Sequence, residues 1–408
     1  MAIVFALVIR HFAVEAYKIP TQSMAPTLLG DDPRRGPGDR VLVKKWDAVL
    51  GGPERWQIWV FRPPLDRTIN YVKRAVGFGG ETVEIEEGDL LVDGKVARKP
   101  RRTREAMWFP AWPAPRKGKD QAVPWVGEGF RIEGEDGFAV AGATGRKLLR
   151  YEGQVRDSVL GTGGTNAVGD VRLRFEVEDA EPGTVLVVRI TGRAGPCEVR
   201  VPVAGGAAEA SAGPASKASF PLGGGPVGEV EAWFADLQFG LAVDGEEVGT
   251  MDDLVPLPRG ERATFGVSFG VEKGGATFRS VRLDRDVFYT STGTTRFEVP
   301  QGHVLFLGDN SAHSQDARLW KGWEVVETAP GGRTFRSENR PYPRDGRVVF
   351  RDRDGVLRSF AEGEVRVSDQ PVPLSFVPVH DLHGRAFSIF WPPRGFTTVE
   401  GGRLGVLP

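Results

Sequence analysis

The sequence predicts a mainly β protein with two sheet systems. Three observations predict this. Short apolar runs separated by turn residues recur along the chain. Between residues 131 and 290 apolar and polar residues alternate, as half-buried antiparallel strands do. Residues 297–323 then return to the style of residues 17–100. The 408 residues are enough for two or three domains and a sizeable core.

The first element is a short apolar helix over residues 1–16. Residues 2–7 are wholly apolar and Val8 and Ile9 extend the run, before Arg10 and His11 interrupt it. A spanning helix needs about 20 apolar residues. The run also lacks a basic leading region and a small-residue cleavage site, so it is no ordinary signal peptide. A buried helix and a stub lying in the membrane interface both fit. Strands follow at 41–43, 58–61, 82–85 and 89–92, with Asp93-Gly94 as a hairpin turn. Residues 101–130 crowd Pro, Trp and basic residues and read as an irregular connector.

Residues 131–290 read as a separate β-sandwich. Strands are expected at 171–177, 185–190, 230–234, 237–243, 264–269 and 277–283, with a turn at Asp244-Gly245. Their rhythm is similar to concanavalin- or laminin-G-like jelly rolls. Residues 205–225 are rich in Gly, Ala and Ser and read as an exposed loop. Residues 304–307 form a buried strand ahead of Gly308-Asp309-Asn310. Turn pairs at Gly331-Gly332, Asp345-Gly346 and Asp354-Gly355 make 324–370 a set of hairpins.

Composition excludes several functions. The formal net charge of −1 gives no electrostatic case for nucleic acid. Cys197 is the only cysteine, so an intrachain disulfide and a cysteine zinc site are both excluded. Five scattered histidines show no ligand pattern, and no metal or cofactor is implied.

Ser23 lies between Pro20 and Pro26. A serine beside prolines is ordinarily a turn residue, and as a nucleophile it needs a base. Lys73 is the candidate base. Near pH 7 a lysine is almost wholly protonated, so it must be desolvated to accept a proton. Tyr71, Val72, Ala75 and Val76 offer an apolar setting. The plain alternative is a strand lysine with its stem on apolar surface. Arg74 should point to the opposite face, toward solvent. Asp316 and Arg318 read by themselves as a surface salt bridge of little worth.

Three blocks change the weighing: Ile19-Pro20-Thr21-Gln22-Ser23-Met24-Ala25-Pro26-Thr27-Leu28, Asn70-Tyr71-Val72-Lys73-Arg74-Ala75-Val76-Gly77, and Gly308-Asp309-Asn310-Ser311-Ala312-His313-Ser314-Gln315-Asp316-Ala317-Arg318. In this order they resemble the type I signal peptidase family, membrane-bound serine proteases with a Ser-Lys dyad. Gly384-Arg385-Ala386 running toward Trp391-Pro392 is similar to the family's last signature. The resemblance covers residues 1–100, 297–323 and 376–395, about a third of the chain. Departures are Thr21 where many relatives carry Ser, Ala317 in place of Ser, and the turns Trp56-Gln57-Ile58 and Gly79-Gly80-Glu81.

The resemblance implies a signal-peptidase-type catalytic domain, residues 17–100 and 291–408, split by the sandwich at 131–290. Residues 1–16 then become part of a membrane-anchor helix. Ser23 is the implied nucleophile and Lys73 its general base. The Ser23 N–H and the Thr21 hydroxyl form the oxyanion hole. Ser314 hydrogen-bonds the lysine, and the Asp316–Arg318 pair braces the site. His313 has no implied role. Ile19, Pro20, Met24, Leu28, Tyr71 and Val72 bind the substrate, an extended peptide added as a strand with small residues at the first and third positions before the cut. The implied activity is signal-peptide removal from secreted preproteins, on the outer face of the bacterial cytoplasmic membrane. Its partners are preprotein signal peptides and membrane lipid. Two rival readings remain: a self-cleaving LexA-like Ser-Lys protease, and an inactive homologue acting as a polymer- or protein-binding β-sandwich.

Overall fold

Strands dominate the computed structural model, which describes residues 14–34, 36–113, 123–134, 136–159, 164–214, 216–258, 261, 264–391 and 407. The chain divides into two compact units. One comprises residues 1–106 and 288–408, the other residues 107–287.

The first unit is organised by a seven-stranded antiparallel sheet. Its strands are β1 (Val14–Lys18), β2 (Arg40–Lys44), β3 (Ile58–Phe61), β4 (Tyr71–Phe78), β5 (His303–Leu307), β6 (Phe376–Pro378) and β7 (Leu382–Trp391). The order across the sheet is β1-β2-β7-β3-β4-β5-β6. The C-terminal strand β7 lies between β2 and β3, and β5 lies beside β4. Strands from the two ends of the chain therefore alternate within one hydrogen-bonded layer, and neither end completes it alone.

Register places Lys73 opposite Trp59, and Tyr71 opposite Phe61. Val72 and Arg74 lie opposite Val60 and Ile58. Directly opposed residues share a face of the sheet. Ile58 and Val60 belong to a core cluster with Ile19, Met24, Leu28, Val41, Val43, Ala386, Ile389 and Leu407. On the Phe61 side, the Phe61 and Phe306 rings stack at 4.2 Å and Trp320 meets Phe61 edge-on at 6.1 Å. Both faces of β4 are thus covered. Strand alternation does not send Arg74 to solvent, and the expectation that it faces water is corrected: Arg74 is fully buried.

Val14 to Ala16 belong to β1, so the expected N-terminal helix does not extend to residue 16, and residues 1–13 lie outside the described residues. Among the described residues no helix is long and apolar enough to cross a membrane. The expected irregular connector holds a helix, Arg101–Ala106, and short strands at Phe109–Trp112 and Trp125–Val126. Residues 114–122 of it lie outside the described residues. At 324–370 the hairpins form as expected. Asp345 and Gly346 adopt φ of 51° and 70°, the left-handed pair of a tight hairpin turn between Tyr342–Arg344 and Arg347–Arg351.

In the second unit one 20-residue strand, Gly266–Arg285, replaces the two strands expected at 264–269 and 277–283. Its first half pairs with Lys147–Tyr151 and Val185–Gly192, and its second half with Phe138–Ala143 and Val171–Glu178. Gly274, at φ 86°, lets the strand turn from one sheet into the other, and a Cβ there would meet Thr184 Oγ1 at 2.3 Å. Phe269 packs on Phe138 and Phe175 at ring separations of 6.0 and 5.2 Å, so the two sheets face each other through aromatic side chains. The expected loop at 205–225 carries two paired strands, Ala207–Ala212 and Ser216–Pro221. Ala208, Ala210 and Phe220 turn inward there, an alternation of small residues that composition conceals.

Candidate active site

Ser23 sits in a 3-10 turn, Gln22–Met24, between the extended residues Thr21 and Ala25. Met24 and Leu28 anchor the turn in the core, and Leu28 N–H donates to the Met24 carbonyl at 2.9 Å. The Gln22 side chain donates to the Gly30 carbonyl and accepts from the Gly30 N–H, at 3.1 and 3.3 Å. Asn310 holds the other side. Its N–H donates to the Ser23 carbonyl at 3.1 Å and its Nδ2 to the Gln22 carbonyl at 2.9 Å. The hydroxyl is therefore carried on a backbone fixed by core packing and by two long-range clamps.

Lys73 Nζ donates to Ser23 Oγ at 2.5 Å. Ser23 is 8% exposed and Lys73 4%. Burial pushes the Lys73 ammonium down to about 8 from 10.5. The carboxylates of Asp316 and Asp309 oppose that fall and Arg318 adds to it. Desolvation prevails because an ammonium loses its water here without gaining a carboxylate at hydrogen-bond distance. The Tyr71 ring lies 5.3 Å from Nζ. Thr21 Oγ1 donates to Ser23 Oγ at 3.3 Å, and Thr21 itself is exposed.

The block after β5 supports this pair. Asp309 binds Arg74 through both carboxylate oxygens, at 2.8 Å from Nε and 2.5 Å from Nη2. Arg74 Nη1 also donates to the Trp56 carbonyl, and Thr27 Oγ1 donates to Asp309. Asp316 and Arg318 form a second buried bidentate pair, at 2.8 and 2.7 Å. Arg318 also donates to Thr290 Oγ1 at 2.6 Å, to the Ser311 carbonyl at 2.7 Å and to Ser311 Oγ. The surface-salt-bridge reading of this pair is corrected. Asp316 Oδ2 also accepts the Gly308 N–H at 2.9 Å. Ser314 is buried, and its Oγ has no hydrogen-bond partner here, where the resemblance implied one in Lys73.

Gly308 marks the tightest approach. A Cβ there would lie 2.1 Å from Ser314 Oγ and 2.5 Å from the Ser23 carbonyl. Gly308→Ala is expected to cost about 1–3 kcal/mol by overpacking. A thermal-unfolding midpoint equal to wild type would show that the turn carrying Ser23 gives way freely.

Of the residues that the resemblance implies as substrate contacts, Ile19, Met24 and Leu28 are buried in the core, Tyr71 and Val72 are half-buried, and Pro20 is exposed. Sequence reasoning missed the Arg74–Asp309 pair, the clamp by Asn310, and the part taken by Thr27 and Thr290. Arg74 and Asp309 are 235 positions apart, and no local pattern connects them. A weak signal existed for Asn310, which sits in the block already singled out.

Residues 1–126 match the family model described as signal peptidase, peptidase S26. Signal peptidase I of Pseudomonas aeruginosa is 38% identical over 103 residues, 22% of this chain and 34% of that protein. Signal peptidase I of Bacillus amyloliquefaciens is 36% identical over 100 residues, 24% of this chain and 48% of that protein. Signal peptidase I of Aquifex aeolicus is 39% identical over 97 residues, 22% of this chain and 35% of that protein. The chain thus spans between about a third and a half of the length of these curated relatives. A solved β-1,3-1,4-glucanase from a mouse hindgut metagenome covers 49% of this chain and 97% of its own, at 10% identity and a TM-score of 0.27, a likeness too loose to carry any argument. The family resemblance read from the sequence is borne out: over its first 126 residues, which hold the Ser23 and Lys73 blocks, this chain is similar to the type I signal peptidases of the peptidase S26 family.

Proposed function

We propose that this protein is a membrane-associated serine endopeptidase that removes signal peptides from secreted preproteins. Its catalytic domain is the first unit, interrupted by the second as an inserted β-sandwich, and it works on the outer face of the cytoplasmic membrane. The observation that carries the reading is the buried contact between Lys73 Nζ and Ser23 Oγ at 2.5 Å. Unprotonated Lys73 takes the Ser23 proton as Oγ attacks the scissile carbonyl. The Ser23 N–H and the Thr21 hydroxyl stabilise the developing oxyanion. Lys73 then passes the proton to the departing amine, and a water activated by the again neutral Lys73 hydrolyses the acyl-enzyme. Asp316 and Arg318 brace the Gly308 turn beside the dyad, and the substrate is held beside Pro20, Tyr71 and Val72, with Ile19, Met24 and Leu28 packed beneath them in the core.

The test is cleavage of a preprotein with an Ala-x-Ala site in detergent micelles. Wild type is expected to cut after the second Ala, and Ser23→Ala and Lys73→Ala to lose at least about a thousandfold in rate. A folded wild type that leaves the preprotein intact would favour the inactive, polymer- or protein-binding reading. Cleavage that survives Ser23→Ala would remove the dyad.

A further inference from the structure

The turn after β2 carries an apolar face directed into solvent. A single helical turn, Asp47–Leu50, follows Lys44, Lys45 and Trp46. Val49 and Leu50 N–H groups donate to the Trp46 carbonyl at 3.0 and 2.9 Å. Trp46, Val49 and Leu50 stand at i, i+3 and i+4 and so share one side of the turn. Val49 is 84% exposed, Leu50 82% and Trp46 39%. Asp47 binds the sheet instead, its carboxylate accepting Arg385 Nε of β7 at 2.7 Å. Polarity is inverted relative to a surface helix of a globular protein, where apolar residues face the core. The ion pair fixes the turn in the orientation that exposes its large apolar side chains.

The geometry points to a lipid-inserting turn: Trp46, Val49 and Leu50 enter the boundary between headgroups and acyl chains of an anionic bilayer. Two further observations select lipid as the occupant. Register pairs Val14 with Lys44. The first residue of β1 therefore lies beside the end of β2, where the turn begins, and in the sequence β1 follows the apolar run of residues 2–9. Lys44 and Lys45 immediately precede the turn, where cations meet anionic headgroups. Lys45 also pairs with Glu15 at 3.3 Å, and Lys44 Nζ lies 4.8 Å over the Phe387 ring. An indole suits the headgroup depth because it is apolar with one polar edge. The inference rests on the membrane-associated reading above and names an element that makes the contact.

The test uses the purified full chain and vesicles of phosphatidylcholine with about 30% phosphatidylglycerol, with partition measured by co-sedimentation. Val49→Ser/Leu50→Ser is expected to lower the partition coefficient by about tenfold or more. Val255→Ser, at an exposed apolar residue elsewhere, should leave it unchanged. Hydrolysis of a short soluble peptide should be the same for both variants and wild type. Partition of the double variant equal to wild type overturns the inference. So does lipid-free sedimentation velocity in which wild type is a dimer and the double variant a monomer, since the face would then join two copies. Ser23→Ala separates the two readings: it should bind vesicles like wild type without cleaving. If it cleaves, the dyad falls while the lipid contact stands or falls on the partition data alone.

Discussion

Lys73→Met is expected to abolish cleavage and at the same time to stabilise the fold at pH 7. Burial depresses the Lys73 ammonium to about 8 from 10.5, so the folded state holds this proton less readily than the unfolded chain. Below about pH 8 both states carry the proton, and the folded state bears the whole penalty. Between pH 8 and 10.5 the folded state releases it while the unfolded chain still binds it, so wild-type stability rises with pH. Above 10.5 the penalty is gone. A methionine of similar length has no charge to desolvate. The variant should therefore exceed wild type by on the order of 3 kcal/mol at pH 7, narrowing between pH 8 and 10.5. Denaturant unfolding at pH 7 and pH 10 measures this. Under the proposed function the same group also sets the rate: the base works only when neutral, so wild-type cleavage should climb about tenfold per pH unit below 8 and level off above it. A rate already flat from pH 6 to 9, or a variant less stable than wild type at pH 7, would contradict a desolvated Lys73.

Arg318→Ala should be among the most destabilising single substitutions in the first unit. It leaves the Asp316 carboxylate buried without a counter-charge, and it strips donors from Thr290 and Ser311. Removing one partner of a buried ion pair costs about 3–5 kcal/mol. The loss should reach the site, because Asp316 Oδ2 also holds the Gly308 N–H, and Gly308 packs against the Ser23 carbonyl. Replacing both charges, as in Asp316→Leu/Arg318→Met, should be less damaging than Arg318→Ala alone, since no unpaired charge stays behind. Equal unfolding midpoints for wild type and Arg318→Ala would mean that the pair is hydrated rather than buried.

Much of the strand pattern was legible because it is local. Residues 58–61 and 89–92 lie between turn residues and form strands at those positions. Asp93-Gly94 and Asp244-Gly245 make their turns through left-handed backbone, which these residue types tolerate. Composition misled where residue type and geometry part. Gly270, Gly274 and Gly275 look like a break, yet Gly274 bends one continuous strand between two sheets. The alanines and serines of 207–221 look like a loop, yet Ala208 and Ala210 alternate inward. The unit boundaries fall after residues 106 and 287, where the sequence reading placed the insert at 131–290.

For the site, sequence alone determined the chemistry-bearing types and their order along the chain: Ser23, then Lys73, then the Gly308–Arg318 block. Those choices are carried by local motifs, which a single chain displays without folding. Only tertiary structure decided that Arg74 is buried against Asp309, that Asn310 grips the Ser23 turn, and that Lys73 loses its water. Each depends on β5 lying beside β4 and on both faces of β4 being covered. A charge's environment is set by whatever packs around it, and here those neighbours come from the far end of the chain.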